Sequence, residues 1–273
     1  MRLVKQSIRK SQIFGNRRYN RTILVAIPVF NELNYVNDVL RAVHKYSDNI
    51  LVVDDGSTDG TSDLLKKHNY IEVISHKTNA GYGQGLIDAF NFAYQQKFEW
   101  IITIDCDHQH EPSYIPHFYS EIEKDDVDII SGSRYLHKIN FNSTPPPTDR
   151  VAINTKITEI LNQNLSIKIT DAFCGFKAYR TKAIFKLKLT EKGYGLPLQL
   201  WIYASRAGLS IREISVPLIY HDPTRKFGGI LEYPQNRLCY YLEIIEKELG
   251  YNVDRDIKKF FHSQKEKCHL CKS

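Results

Sequence analysis

The stretch Ile50-Leu51-Val52-Val53-Asp54-Asp55-Gly56-Ser57-Thr58-Asp59-Gly60 decides the fold. Four apolar residues run without interruption, as in a strand covered on both faces. The run ends in two acids and a glycine-rich turn, where Ser57 or Thr58 can cap a helix reaching His68. Upstream, Ile23–Val29 is a second such run, closed by Phe30-Asn31-Glu32. Between the two, Val36, Val39, Leu40 and Val43 keep helical spacing. Downstream come strands at 71–74, 100–104 and 127–130, with Leu86, Ile87, Phe90 and Ala93 marking a helix before the second of them. Strands and helices alternating in this way predict an α/β fold, a mostly parallel central sheet with helices on both faces.

The second half is less regular. Pro145-Pro146-Pro147 breaks the chain. A helix is expected from about residue 150 to 162, and Leu238, Tyr241, Leu242, Ile245 and Leu249 mark a last amphipathic one. One catalytic-sized domain over 22–250, a basic tail over 1–21 and a second tail over 251–273 is the simplest organisation.

Charge narrows the function. The 273 residues carry 37 Lys and Arg against 31 Asp and Glu, a net +6. Residues 1–21 hold seven basic side chains and no acid; residues 258–273 hold five lysines and one acid. The remaining 25 basic and 30 acidic residues give a body near −5. A nucleic-acid partner would want the basic patch on the folded body, so that class is disfavoured. The longest apolar run, Ile23–Phe30, is far shorter than the roughly 20 residues of a membrane span. Residues 1–21 lack the apolar region of a secretory signal, and five cysteines without a framework suit a reducing setting. The expectation is a cytoplasmic protein.

In open α/β sheets ligands bind at the carboxyl ends of the strands. Three such ends here deliver Glu32, Asp54, Asp55, Asp105 and Asp107 to one edge. In extended backbone Asp105 and Asp107 point to the same face while Cys106 points into the core. Two carboxylates with Gln109 are hard oxygen ligands, suited to Mg²⁺ or Mn²⁺ completed by a diphosphate. His108 and His110 read as loop histidines rather than zinc ligands.

Six motifs follow one another in order: Pro28-Val29-Phe30-Asn31-Glu32, Val53-Asp54-Asp55-Gly56-Ser57, Asn79-Ala80-Gly81-Tyr82-Gly83, Asp105-Cys106-Asp107-His108-Gln109-His110, Gly132-Ser133-Arg134-Tyr135, and the segment from Asp171 through Cys174-Gly175-Phe176-Lys177 to Arg180. Together they resemble the family 2 inverting glycosyltransferases, in particular the dolichyl-phosphate mannosyltransferase and glucosyltransferase branch, over roughly residues 22–230. The resemblance implies a glycosyltransferase A-type fold, a nucleotide-diphosphate sugar donor and a divalent metal, Mg²⁺ or Mn²⁺. It implies donor binding by Pro28, Phe30, Glu32, Asp54, Asp55, Gly81, Gly83 and Asp105, with the glycines admitting the ligand to the backbone. Asp105, Asp107 and Gln109 would hold the metal. Asp107, Arg134, Arg150 and Arg225 would act on the phosphates and leaving group, bidentate guanidinium groups suiting phosphate oxygens.

One position departs from the family's pattern. The acid that many members supply as general base, after a Gly-Tyr pair, aligns with Gln199, which cannot take a proton. A lipid phosphate acceptor resolves this, since a phosphomonoester is already anionic near neutral pH. A shifted alignment, or Asp171 as base, resolves it differently. The lead expectation is hexose transfer to a polyprenyl (dolichyl-type) phosphate. The alternatives are a family 2 enzyme acting on a glycan or glycolipid hydroxyl, and a degenerate nucleotide-sugar-binding protein. The apolar residues interleaved with charge in 1–21 suit peripheral contact with an anionic membrane, at roughly 1 kcal/mol per basic residue, or equally a solubilising tail. Cys268 and Cys271 lack the further ligands a zinc site needs.

Overall fold

Alternation along one strand shows why helices cover both faces. In β1 (Ile23–Val29), Leu24 and Ala26 enter one apolar cluster while Ile23, Val25, Ile27 and Val29 enter another. Successive side chains of a strand point to opposite faces, so a run apolar at every position requires cover on both. The computed structural model describes residues 23–137, 145–220 and 229–253. The tail at 1–21, Arg225 and the Cys268–Cys271 pair lie outside the described residues.

The other strands are β2 (Ile50–Asp54), β3 (Glu72–Ser75), β4 (Trp100–Thr103), β5 (Ile129–Ser133), β6 (Lys177–Arg180) and β7 (Ile211–Ser215). They form one seven-stranded sheet in the order β3-β2-β1-β4-β6-β5-β7. Strands β1 to β4 pair in parallel, and β5 pairs in parallel with β7. β6 runs antiparallel between β4 and β5. On one face lie α1 (Val36–His44), α2 (Thr61–Leu65) and α4 (Ile115–Ile122), through Val39, Leu65, Phe118 and their neighbours. On the other lie α3 (Tyr82–Gln95), α5 (Thr148–Asn164), α6 (Thr181–Lys186), α7 (Leu196–Arg206) and α8 (Pro234–Leu249). Each contributes an apolar stripe, such as Leu86, Ala89, Phe90 and Ala93 of α3.

Two local expectations are corrected. Neither Ser57 nor Thr58 caps α2, which begins at Thr61 after Gly60 in left-handed backbone and ends at Leu65 rather than reaching His68. Asp59 does the capping work, its Oδ1 accepting from the Thr61 amide at 3.0 Å and the Thr61 hydroxyl at 2.6 Å. Ser57 and Thr58 are drawn instead into the neighbouring strand end. The Ser57 hydroxyl accepts from Asn31 N–H, and Thr58 N–H donates to Asn31 Oδ1. These bonds sew the ends of β1 and β2 into one wall. The fifth strand is shifted to Ile129–Ser133 because Gly132 packs against the Phe176 carbonyl and Val216, closing β5 onto β6 and β7.

Candidate active site

A cleft of about 740 Å³ opens at the carboxyl edge of the parallel strands. Its first wall is built from strand ends. Pro28 lies near the end of β1 with Phe30 and Glu32 just beyond it, Asp55 follows β2, and Asp105, Asp107 and Gln109 follow β4; all line the cleft, as do Gly81, Arg134 and Arg150. Cys106, between the two acids in the bend after β4, is buried against the core and touches the cleft floor.

Two predicted donor residues do not reach the cleft. Asp54 is buried, its carboxylate accepting from the Ser57 amide at 3.0 Å and the Ser62 hydroxyl at 2.5 Å. It stabilises the turn after β2, a task the sequence does not distinguish from ligand binding. Gly83 is also internal. A Cβ there would stand 2.4 Å from the Glu191 carbonyl, and one on Gly81 would stand 2.3 Å from that of Lys192. Both glycines are required, but the backbone they admit is the protein's own segment 191–193. Gln84 N–H seals the contact on Lys192 O at 3.1 Å. Gly81 meets the cleft as well.

Asp55 is a cleft residue with a fixed carboxylate. Its oxygens accept from the Ala80 and Gly81 amides at 2.7 and 2.8 Å and face His76 Nδ1 at 2.6 Å. Asp105 is fixed too. Tyr82 donates its hydroxyl to Oδ1 at 2.9 Å, and His110 Nε2 faces Oδ2 at 3.1 Å. Burial alone would raise the Asp105 carboxyl, but the bonds from His110 and Tyr82 and the nearby Lys177 charge hold it below its ordinary range. His110 sits on the loop after β4, as expected, but it is buried beside Asp105, and its Nδ1 has no partner among the described residues. Gly175 completes the seat, since a Cβ there would lie 2.0 Å from Asp105 Oδ2.

These commitments bear on the metal. Among the described residues no group of three His, Cys, Asp or Glu side chains stands ready to hold an ion. Asp105 holds one bond on each oxygen, from Tyr82 and facing His110, which fixes its carboxylate beside Asp107 on the cleft. Asp107 lines the cleft, its Oδ1 accepting from the Gln109 amide at 3.0 Å. A cleft carboxylate with the Gln109 amide beside it suits a hard divalent ion that keeps waters and takes its other ligands from a diphosphate. It does not suit zinc.

The second wall is basic and aromatic. Arg134, Arg150 and Arg237 line it together with Tyr135, Phe173, Tyr194, Tyr220 and Tyr241. Arg134 is held by Asp171 through Nε–Oδ2 at 2.6 Å and Nη2–Oδ1 at 2.8 Å. Asp171 also accepts from Asn154 Nδ2 at 2.8 Å. Burial would raise the Asp171 carboxyl, yet the Arg134 guanidinium overcomes this and holds it far below the usual carboxylate range. Such a group takes no proton near neutral pH, and it does not line the cleft; Asp171 is not a base. Arg150 reaches the Tyr220 hydroxyl at 3.4 Å from the first turn of α5.

Gln199 is likewise not at the position of a base. It is 1% exposed, and its Oε1 accepts from the Thr190 and Glu191 amides at 2.8 and 2.9 Å. Its Nε2 donates to Thr190 Oγ1 and Glu248 Oε1. It anchors the segment that presents Gly193 and Tyr194 to the cleft. The Tyr194 ring stacks on Tyr82 at 5.6 Å.

Sequence reasoning missed Arg237 and the aromatic residues. Arg237 is buried and paired with Asp149, which ties α8 to the start of α5. A charge abutting the apolar stripe of Leu238, Tyr241 and Leu242 was the available signal. Tyr135, Tyr82 and Phe173 lie inside the quoted motifs but carry no pattern of their own.

A cleft of this kind, strand-end acids facing arginines on a sheet of this order, defines the glycosyltransferase A-type nucleotide-diphospho-sugar transferase fold. Residues 24–187 match Glycosyl transferase family 2, and the chain belongs to that family. The undecaprenyl-phosphate mannosyltransferase of Micrococcus luteus is 25% identical over 223 residues, 77% of this chain and 89% of that protein. The UDP-N-acetylglucosamine–dolichyl-phosphate N-acetylglucosaminyltransferase of Methanococcus voltae is 27% identical over 222 residues, 74% and 88% of the two chains. Residues 1–349 of S. aureus TarS in complex with UDP-GlcNAc share the fold, with a TM-score of 0.56 and 18% identity over 87% of this chain and 69% of that one. Among the described residues no helix is long and apolar enough to cross a membrane.

Proposed function

We propose that the chain is an inverting hexosyltransferase moving a sugar from a nucleotide-diphosphate donor to a polyprenyl phosphate. The observation that carries this reading is the division of the cleft. Among the described residues its lining acids, Glu32, Asp55, Asp105 and Asp107, all belong to the strand-end wall, and the wall of Arg134, Arg150 and Arg237 brings no carboxylate to the cleft. An acceptor hydroxyl needs a base on that side. A phosphate monoester, with its second pKa near 6, does not. The named relatives that act on undecaprenyl and dolichyl phosphates support the same acceptor class.

In this reading the nucleotide lies along Pro28, Phe30, Glu32 and Asp55. Asp107 and Gln109 hold a divalent ion, Mg²⁺ or Mn²⁺, whose chemistry is to offset charge on the departing diphosphate. Arg150 and Arg237 attract the acceptor phosphate, and Arg134, oriented by Asp171, faces the diphosphate between them; Arg225 joins this set on the strength of the family pattern. A phosphate oxygen attacks the anomeric carbon from the face opposite the diphosphate. The new C–O–P bond forms as the old C–O bond breaks, and its electron pair leaves on the nucleoside diphosphate. No proton changes hands. Arginines fixed by protein partners are already aimed at the charge that develops.

We assign the catalytic domain to residues 22–250, working at the cytoplasmic membrane face with 1–21 as its anionic-surface contact. Incubation with GDP- and UDP-hexoses, Mn²⁺ and polyprenyl phosphate should yield an acid-labile sugar phospholipid. A glycoside stable to mild acid, formed on a hydroxyl, would overturn the acceptor assignment. Neither transfer nor donor hydrolysis across the panel would return the chain to a binding role.

A further inference from the structure

Asp55 owes its position to a histidine outside the cleft. His76, just after β3, sits between two carboxylates, its Nδ1 2.6 Å from Asp55 Oδ1 and its Nε2 2.9 Å from Asp88 Oδ2. Asp88 is fixed in turn by Gln84 Nε2 at 3.1 Å, one turn earlier in α3. The His76 amide donates to the Asp54 carbonyl at 2.9 Å, which pins the ring's own backbone to the end of β2. Asp55 from the β2 end and Asp88 from α3 are the charged groups that face the ring.

The chemistry of imidazole gives this arrangement two states. With both nitrogens protonated, the ring donates to both carboxylates. After loss of one proton, a lone pair faces a carboxylate oxygen at under 3 Å and one of the two contacts is repulsive. Asp55 is the acid whose oxygens hold the Ala80 and Gly81 amides. Whichever nitrogen keeps its proton, the neutral ring no longer clamps Asp55 to Asp88 and α3, and the Asn79–Gly81 edge that Asp55 holds loosens with it.

We propose that His76 is a positioning residue for the donor nucleotide, holding Asp55 and the Asn79–Gly81 edge in the binding form only while its ring is doubly protonated. The assignment rests on reading this end of the cleft as the nucleotide site. Burial disfavours the imidazolium, but the bonds and charges of Asp55 and Asp88 outweigh it and raise His76 above the ordinary histidine value. The ring keeps its proton to higher pH than an ordinary histidine and loses it as pH rises through the raised value. Donor affinity therefore falls with rising pH. By reciprocity, nucleotide binding raises the pKa of His76 further and takes up a proton.

The test is calorimetric titration of the full chain and of His76→Gln with UDP and with GDP, each with Mn²⁺, from pH 6.5 to 9. Any titration of the nucleotide itself is common to both proteins and cancels in their ratio. The variant should bind about tenfold more weakly than the wild type at pH 6.5, converging to within about twofold at pH 9. Wild-type binding should also take up protons, seen as a heat that depends on buffer ionisation enthalpy, and the variant should not. Asp88→Asn should move the wild-type pH dependence to lower pH. A ratio that is constant across the range, or no proton uptake in the wild type, overturns the proposal. Absence of any nucleotide binding by the wild type at every pH overturns the donor reading as well, which distinguishes the two failures.

Discussion

The two walls of the cleft are built by different means. The strand-end wall comes from consecutive βα units, each parallel strand delivering its next few residues to one edge. The arginine wall comes from the residues just after β5, the segment before the antiparallel β6 and the flanks of α5 and α8, elements that meet only in three dimensions. On the first wall acids are fixed largely by backbone amides and neighbouring hydroxyls. On the second, buried or half-buried cations are fixed by acids: Arg134 by the buried Asp171, Arg237 by the partly exposed Asp149. The first wall is local and repetitive; the second depends on long-range pairs, each vulnerable to loss of one partner.

The sharpest test of that contrast is Asp171→Asn. Removing one partner of a buried pair costs about 3–5 kcal/mol, roughly 10 °C in Tm for a chain of this size. The sign of the pH dependence follows from the depressed carboxyl: its contribution is complete above the unfolded value near 4 and is lost as pH falls below it. Thermal melts of wild type and variant should therefore converge in acid. A gap that stays constant from pH 7 to pH 3 would mean that the pair does not carry this stability.

On the opposite wall Asp107→Ala should leave Tm nearly unchanged and lower kcat by roughly 10²–10³-fold in the presence of Mn²⁺. A turnover that is unchanged would remove the metal from Asp107. Arg150→Ala should raise the KM for polyprenyl phosphate by about tenfold to a hundredfold, the worth of a bond to a charged group. Donor affinity should not move; if it falls in step, the two walls do not divide donor from acceptor. The smallest effect is expected from Gln199→Ala. It leaves the Thr190 and Glu191 amides without their acceptor and should cost about 1–3 kcal/mol in urea unfolding. Turnover by the folded variant should stay largely intact, and near-total loss of kcat at full folding would restore Gln199 to the chemistry.

The same division governs what was legible. Strands β1, β2 and β4 were readable because an uninterrupted apolar run leading to Asp or Asn is both a strand and a site; β3, a half-exposed edge strand, starts one residue later than its pattern predicts. The six motifs carried the family because most of them sit on strand ends or beside them. β6 was not readable: Lys177-Ala178-Tyr179-Arg180 alternates polar and apolar residues, yet Lys177 is buried, its ammonium bonded to the Cys174 carbonyl and 5.4 Å from the centre of the Trp201 ring. Asp54 and Asp55 are adjacent acids with opposite fates, one turned into the turn after β2 and one onto the cleft. Nothing in their spacing distinguishes them. Gln199 aligned with a catalytic acid because sequence registers helix position, whereas its role depends on Glu248, far along the chain on α8.

The place of β6 has a consequence for synthesis. β4, whose end bears Asp105 and Asp107, pairs on one edge with β1 and on the other with residues 177–180, about seventy residues downstream. β5 does not close that edge, because its own partners are β6 and β7. The nascent chain thus leaves the ribosome with its central strand open on one side. At roughly 5–20 residues per second, the gap lasts several seconds. An unpaired strand edge is a template for association with another chain. Premature termination anywhere between 104 and 176 produces a fragment in which that edge never closes, so nonsense products of this chain are sticky rather than inert.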